Sequence, residues 1–126
     1  MVIVLKFVLS LVFLIVMAPG AFAKCEFLRL TASHEILCLD RMTVTWVADR
    51  PDGSAIDVQL DRSATRAIAE FTERNIGQSV ELQLCGQVIA RPMVRNKMTD
   101  GKMIVSGRSK AETSKISYWL RHRVCN

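Results

Sequence analysis

The most reactive side chains in this 126-residue chain are those of its four cysteines, Cys25, Cys38, Cys85 and Cys125. They could bind a metal, act as nucleophiles or form disulfides. Structural zinc sites usually take their ligands in pairs two to four residues apart, whereas these cysteines are separated by 13, 47 and 40 residues. An even number of widely spaced cysteines is typical of an exported, disulfide-bonded domain. We therefore predict two disulfides, no metal site and no cofactor.

The two histidines, His34 and His122, do not lie in a pattern typical of catalysis. His34 stands in a predicted loop and His122 in a short basic stretch, and the sequence has neither a G-x-S-x-G elbow nor an H-E-x-x-H pair. Disulfide formation would also remove the thiol nucleophiles. The sequence predicts a non-catalytic protein without catalytic residues, with a cysteine-dependent periplasmic enzyme as an alternative.

Residues 1–23 contain the parts of a secretory signal in their usual order. Lys6 is followed by an apolar run, Pro19-Gly20 interrupts it, and Ala21-Phe22-Ala23 supplies small residues at positions −3 and −1 of a cleavage site. The alternative is an uncleaved anchor, but the apolar stretch is shorter than the ~20 residues that a spanning helix needs. We expect cleavage after Ala23, a periplasmic or secreted protein, and no membrane span afterwards.

The remaining residues, 24–126, are enough for a single domain. Without Lys6 the chain keeps 16 basic and 12 acidic residues, a net charge of +4. This modest charge is typical of a solvated surface. Base-stacking aromatic residues are missing from the predicted open face, so nucleic acid is not expected as a partner.

Strands are predicted over 27–31, 42–47, 55–60, 79–84, 87–91 and 103–106, while 32–41 is ambiguous between a helical turn and a loop. One helix follows Asp61 or Ser63 and ends at Gly77, and a capping box at Ser109 starts the other. The order β-β-β-α-β-β-β-α predicts an α+β fold: an antiparallel or mixed sheet with both helices packed on one face, a two-layer sandwich. Trp46 and Trp119 are predicted to lie in its core.

The other face of that sheet is predicted to be polar and open, and it is the candidate partner surface. Its residues are Thr43, Thr45, Asp57, Gln59, Glu81 and Gln83. If 32–41 is a loop, the same topology places Cys38 near Cys85 and Cys25 near Cys125. The predicted disulfides are therefore Cys38–Cys85 and Cys25–Cys125.

Residues 58–120 carry a pattern of turn and helix-cap residues rather than of reactive groups. Thr72, Asn75 and Gly77 stand at the end of the first helix, Gly86 at a hairpin turn, Pro92 after a strand, and Gly107 after Ile104-Val105-Ser106. With these motifs the segment resembles the first periplasmic head subdomain of SecD-type protein-translocase subunits. Cys85 departs from the family, which usually has aspartate at that turn.

The resemblance implies a head domain that contacts substrate protein emerging from the translocon. It therefore suggests a non-catalytic binding or accessory module whose partner is an exported or unfolded polypeptide or an envelope protein. An envelope structural protein unrelated to export is the alternative, and the sequence leaves the oligomeric state open.

Overall fold

The computed structural model describes residues 25–126, so the predicted signal and its cleavage site lie outside the described residues. The elements follow the order β-β-β-β-α-β-β-β-α. They are β1 (Leu28–Thr31), β2 (Ile36–Leu39), a short 3-10 helix (Arg41–Thr43), β3 (Val44–Asp49), β4 (Ile56–Leu60), α1 (Arg62–Arg74), β5 (Glu81–Leu84), β6 (Gln87–Ala90), β7 (Lys102–Val105) and α2 (Lys110–His122). The predicted α+β class is confirmed.

The strands form two antiparallel sheets and not one. The first has the order β2-β1-β5-β6 and the second the order β3-β4-β7. The additional strand, β2, occupies the segment that was ambiguous in the sequence. It turns back on β1 through a tight connection in which the Ala32 amide donates to the Glu35 carbonyl at 2.9 Å.

A single hydrophobic core joins both sheets and both helices, which confirms the sandwich. Alternate residues of β1, β4, β5 and β7 face inward, as the period of a half-buried strand requires. Both helices bury one stripe. The largest fully buried side chains are Phe27, Leu28, Val44, Ile56, Val58, Ile68, Phe71, Val80, Leu84, Val105, Ile116 and Leu120.

The two tryptophans have different environments. Trp119 is buried, as predicted, but Trp46 is 57% exposed. The register of β3 against β4 shifts between Val44, opposite Leu60, and Trp46, opposite Gln59. This bulge adds one residue and turns the following side chains to the other face, so the strict alternation that placed Trp46 in the core is wrong.

The ends of both helices are fixed by side chains that the sequence indicated. Asp61 accepts from the Ala64 amide at 2.8 Å at the start of α1, and Ser109 accepts from the Glu112 amide at 3.2 Å at the start of α2. At the end of α1, Thr72 donates to the Ile68 carbonyl and Asn75 to the Phe71 carbonyl, at 2.8 and 2.7 Å. Thr72 and Asn75 therefore stabilise the end of α1.

The turn between β5 and β6 is Cys85-Gly86, with φ values of 53° and 79°. Two successive positive φ angles are typical of a type I′ hairpin turn, where asparagine or aspartate normally precedes glycine. Cysteine occupies this position because its side chain forms a disulfide.

The disulfides join Cys25 to Cys38 and Cys85 to Cys125, with Cα–Cα distances of 5.1 and 5.3 Å. Two bridges are present, but the predicted pairs Cys38–Cys85 and Cys25–Cys125 are wrong. The error lies in 32–41: because β2 doubles back on β1, with Cys38 opposite Arg29, it returns the cysteine to the starting end of β1.

Cys38 and Cys85 are kept apart by β1 itself. β2 and β5 flank β1 on opposite sides, so their residues are about two strand spacings, ~10 Å, apart. A disulfide needs Cα atoms within about 7 Å. The Cys85 amide donates to the Phe27 carbonyl at 2.9 Å, which places this cysteine also at the starting end of β1.

Candidate functional site

The outer surface of the β3-β4-β7 sheet carries exposed apolar side chains between polar ones. In the register, Trp46, Gln59 and Lys102 lie side by side across the three strands. Ala48, Asp57 and Ile104 form the next row, and the six residues of the two rows are called the β4 face below. Trp46 and Ile104, 57% and 66% exposed, stand at diagonally opposite corners.

Two of the three polar side chains of the β4 face, those of Asp57 and Gln59, are bonded to neighbouring parts of the domain. Asp57 forms an ion pair with Arg50 at 3.5 Å. The Gln59 amide donates to the carbonyls of Leu60 and Asp100 at 3.2 and 3.1 Å. Since these groups already have partners, the tryptophan and the isoleucine are the parts of the face that gain most from contact with another molecule. A pocket of about 230 Å³ on this face is lined by Trp46, Gln59 and Lys102, among others.

The six residues predicted as one partner surface are divided in the structure. Asp57 and Gln59 lie on the β4 face, with Thr45 exposed at the bulge beside them. Thr43 lies in the 3-10 helix, where its hydroxyl donates to the Asp40 carbonyl at 2.7 Å. The predicted surface is divided because its strands belong to two different sheets. A partner role for any of the six residues stays a prediction.

Glu81 and Gln83 lie on β5, in the other sheet. The Gln83 amide donates to Glu81 at 2.7 Å, and Arg91 approaches the second carboxylate oxygen at 3.7 Å. This group is bonded within itself and presents no exposed apolar side chain of its own. It is therefore a weaker candidate for contact than the β4 face.

Trp46, Lys102 and Ile104 were missed by sequence reasoning. For Ile104 a signal existed, because Lys102-Met103-Ile104-Val105 alternates and an inward Met103 and Val105 imply an outward Ile104. Trp46 had no such signal, since the bulge that exposes it depends on pairing with β4.

The described residues show no assembled catalytic or metal centre. Within 25–126 no group of three or more His, Cys, Asp or Glu side chains could hold a metal ion, and all four cysteines are in disulfides. His34 is exposed in the β1–β2 turn, and the His122 ring lies 4.4 Å from that of Tyr118. Over the same range no helix has the length and apolar character needed to cross a membrane.

The fold and its exposed sheet surface define a small α+β head-type domain. Residues 41–123 match the family model described as the SecDF P1 head subdomain. This match covers more than half of the chain, and the chain therefore belongs to that family. The resemblance carried by Thr72, Asn75 and Gly77 is confirmed.

Among characterised relatives, the chain is similar to protein translocase subunit SecD of Dictyoglomus turgidum, with 30% identity over 67 residues. It is also similar to SecD of Thermobaculum terrenum, with 24% identity over 66 residues. Each alignment covers 52% of this chain but only 17% and 13% of the relative. The chain thus spans a small part of the length of these proteins.

Two solved structures share the fold. One is of SecDF, described as a membrane component that enhances protein export, with a TM-score of 0.54, 24% identity, and coverage of 64% of this chain and 39% of that one. The other is SecDF in a super-membrane-facing form, with a TM-score of 0.53, 24% identity, and coverage of 64% and 12%.

Proposed function

We propose that this protein is a non-catalytic accessory module of protein export, acting outside the cytoplasm, and that it contacts exported polypeptide through the β4 face. The observation that carries the proposal is the exposure of Trp46 and Ile104 on a sheet surface where Asp57 and Gln59 already have partners. Isolated exposed apolar residues are common, but two on one flat surface of a small sheet form a contact area.

The chemistry of this surface suits an unfolded partner. Unfolded segments expose apolar side chains, and transfer of these from water onto a tryptophan or isoleucine is favourable at about 25 cal/mol per Å². The Asp57–Arg50 ion pair and the ammonium of Lys102 surround these apolar side chains with charge that matches no single sequence. Such a surface supports weak contacts with many polypeptides better than tight binding of one ligand.

The comparisons support the link to export. The SecD relatives are protein translocase subunits, and one SecDF structure is described as enhancing export. Because the chain spans a small part of these proteins, the proposal concerns the contact made by a head domain and not the activity of a whole translocase subunit.

Photocrosslinking in cells tests the proposal. A crosslinking amino acid is placed at Thr45, beside the exposed Trp46, and at Gln83 on the other sheet as the matched control. We expect adducts with several exported polypeptides from Thr45 and few from Gln83, and fewer from Thr45 when Trp46→Ser and Ile104→Ser are combined. Equal yields from both positions, or no polypeptide adducts from Thr45, would contradict the proposal. Adducts with a single folded envelope protein would instead favour an interaction protein unrelated to export.

A further inference from the structure

An open cleft of about 710 Å³ lies between strand β6 and helix α2, away from the β4 face. Its lining includes Val88 and Arg91 from the β6 side, and Arg108, Glu112, Lys115 and Trp119 from the α2 side. A volume of this size is in the range of ligand-binding clefts.

The rim of the β6–α2 cleft is strongly cationic. It presents the positive charges of Arg91, Arg108 and Lys115 against one carboxylate, Glu112. Arg91 forms a long ion pair with Glu81, with 3.7 Å between its Nε and the carboxylate oxygen. Within residues 25–126, Arg108 has no ion pair, and the Lys115 ammonium lies over the Trp119 ring, 4.7 Å from its centroid. Two cations of this rim are therefore available to an anionic ligand.

The accessible apolar surface of the cleft comes mainly from Val88. Ile116 and Trp119 are almost fully buried, and Val88 is half-buried. Apolar surface beneath a charged rim favours a ligand that carries both carboxylates and apolar groups, over a small inorganic anion.

One wall of the cleft is an unpaired strand edge. β6 is the last strand of its sheet and pairs only with β5 in the described part of the chain. Leu84 and Gln87 flank the two-residue turn, and Val88 comes next, opposite Gln83. The two residues that flank a two-residue turn, here Leu84 and Gln87, form a hydrogen-bonded pair. Residues of the next pair direct their backbone N–H and C=O groups away from the partner strand. The N–H and C=O groups of Val88 therefore point to the open edge.

We infer that the β6–α2 cleft binds an extended acidic segment of polypeptide, which adds to the edge of β6 as a further strand. Its carboxylates would contact Arg108 and Lys115, and its apolar side chains would lie over Val88. Strand addition combines backbone hydrogen bonds with side-chain pockets in this way. The inference rests on the proposed function, because it takes the ligand to be polypeptide, and it adds a second site with a preference for acidic sequence.

Fluorescence titration with synthetic peptides tests the charge preference. The probe alternates aspartate and valine over seven residues, and its control has asparagine at each aspartate position. Trp46→Phe leaves Trp119 as the single tryptophan, so binding in the cleft is read from its emission. We expect the aspartate peptide to bind at least about ten-fold more tightly, a difference of about 1.4 kcal/mol, and to bind more weakly as salt is raised.

Charge variants show whether the binding depends on this cleft. Arg108→Glu combined with Lys115→Glu should weaken binding of the aspartate peptide by at least about ten-fold, and the milder glutamine pair should weaken it less. Arg66→Glu, on the exposed side of α1, is the matched control and should leave binding unchanged. Equal effects of the Arg66 and Arg108/Lys115 variants would overturn the inference.

Strand addition is tested with peptides that are N-methylated at alternate residues, so that one backbone edge loses its donors. Methylation of one edge should abolish binding, and methylation of the other should be tolerated. If both peptides bind like the parent, strand addition is wrong.

The inference and the proposed function can fail separately. Equal binding of aspartate and asparagine peptides, or no binding, rejects the acidic cleft. Crosslinking from Thr45 would still decide the role of the β4 face.

Discussion

The hydroxyl of Ser117 in α2 donates a hydrogen bond to the carboxylate of Asp49, the last residue of β3. Arg121, one turn further along α2, donates to the other carboxylate oxygen at 2.9 Å and to the Ser117 oxygen at 3.1 Å. The hydrogen bonds among Asp49, Ser117 and Arg121 connect α2 to the end of the sheet that carries the β4 face. The hydrogen bond from Ser117, supported by Arg121, holds the pKa of Asp49 below its ordinary value of 3.8.

A lowered pKa makes the contribution of Asp49 to stability depend on pH. Because the folded protein holds this carboxylate ionised more strongly than the unfolded chain does, the contribution is complete above the unfolded pKa of about 3.8 and disappears as pH falls through the folded value. We expect Asp49→Asn to lower the free energy of unfolding by at most about 1 kcal/mol at pH 7, since the pair is half-exposed and screened by solvent.

Chemical denaturation at pH 7, 5 and 2.5 measures this dependence. The difference between wild type and Asp49→Asn should be constant at the two higher values and shrink at the lowest. Glu70→Gln, an exposed carboxylate on α1, should show no comparable difference. A difference that grows as pH falls would be inconsistent with the hydrogen bond to Ser117.

Gly101 allows the loop before β7 to approach α1. Its φ is +65°, and an added Cβ would overlap the Thr65 hydroxyl. We expect Gly101→Ala to cost about 2–4 kcal/mol of stability, combining backbone strain with overpacking. Gly86→Ala, with φ +79° but no atom within 4 Å of the added Cβ, should cost only the strain, about 1–2 kcal/mol. In a Thr65→Ala background the cost of Gly101→Ala should fall towards that of Gly86→Ala, because the hydroxyl and methyl groups are removed while the Thr65 Cβ, 3.0 Å from the added Cβ, remains; a double-mutant cycle by urea denaturation measures this.

Thr72 connects α1 to the loop that precedes β7. Its buried hydroxyl donates to the Ile68 carbonyl and accepts from the Met98 amide at 2.9 Å. Thr72→Val keeps the shape but leaves the amide without this partner, so we expect a loss of about 1–3 kcal/mol. Thr72→Ser keeps the hydroxyl and should lose much less. Hydrogen exchange at Met98 provides a local measurement, and unchanged protection in the valine variant would argue against this role.

The two tryptophans should respond differently to replacement. Trp119→Ala removes a buried ring and should cost about 3–5 kcal/mol, whereas Trp46→Ser removes an exposed one and should change stability by about 0.5 kcal/mol or less. Thermal unfolding of the two variants checks this difference. A large loss for Trp46→Ser would indicate that this residue supports the fold and is not free for contact.

The pairing of the cysteines is tested by a non-reducing tryptic digest. We expect peptide 25–29 linked to 30–41, and peptide 75–95 linked to 124–126. On the chain-entropy model, loops of 13 and 40 residues correspond to about 3 and about 4 kcal/mol. Replacing Cys85 and Cys125 together by serine should therefore destabilise the domain more than replacing Cys25 and Cys38. A peptide linking Cys38 to Cys85 would contradict the structure.

Local signals predicted most of the elements correctly. The caps at Asp61 and Ser109, the stripe through Ile68 and Phe71, and the turn at Cys85-Gly86 depend on residues close in sequence. Short-range patterns of this kind report helices and hairpins directly.

The failures all depend on how one strand pairs with another. Strand β2 exists because Cys38 lies opposite Arg29, and the exposure of Trp46 follows from its register against Gln59. Neither pairing leaves a local signal. Missing β2 led to the wrong disulfide pairs, and missing the bulge left Trp46 out of the predicted partner surface. Recognition of the family was more robust, because the residues that carry it, such as Thr72 and Asn75, cap the helix locally.

The two ends of the described segment, residues 25–126, lie at one corner of the domain. The sulfur of Cys125 lies 3.4 Å from the carbonyl oxygen of Glu26. A linker of a few residues would therefore join the ends of segment 25–126 into a circle, and new ends opened at the Asp52-Gly53 turn would interrupt no strand or helix. The same closeness would let such a domain be inserted into a surface loop of a larger protein without separating the two sides of that loop.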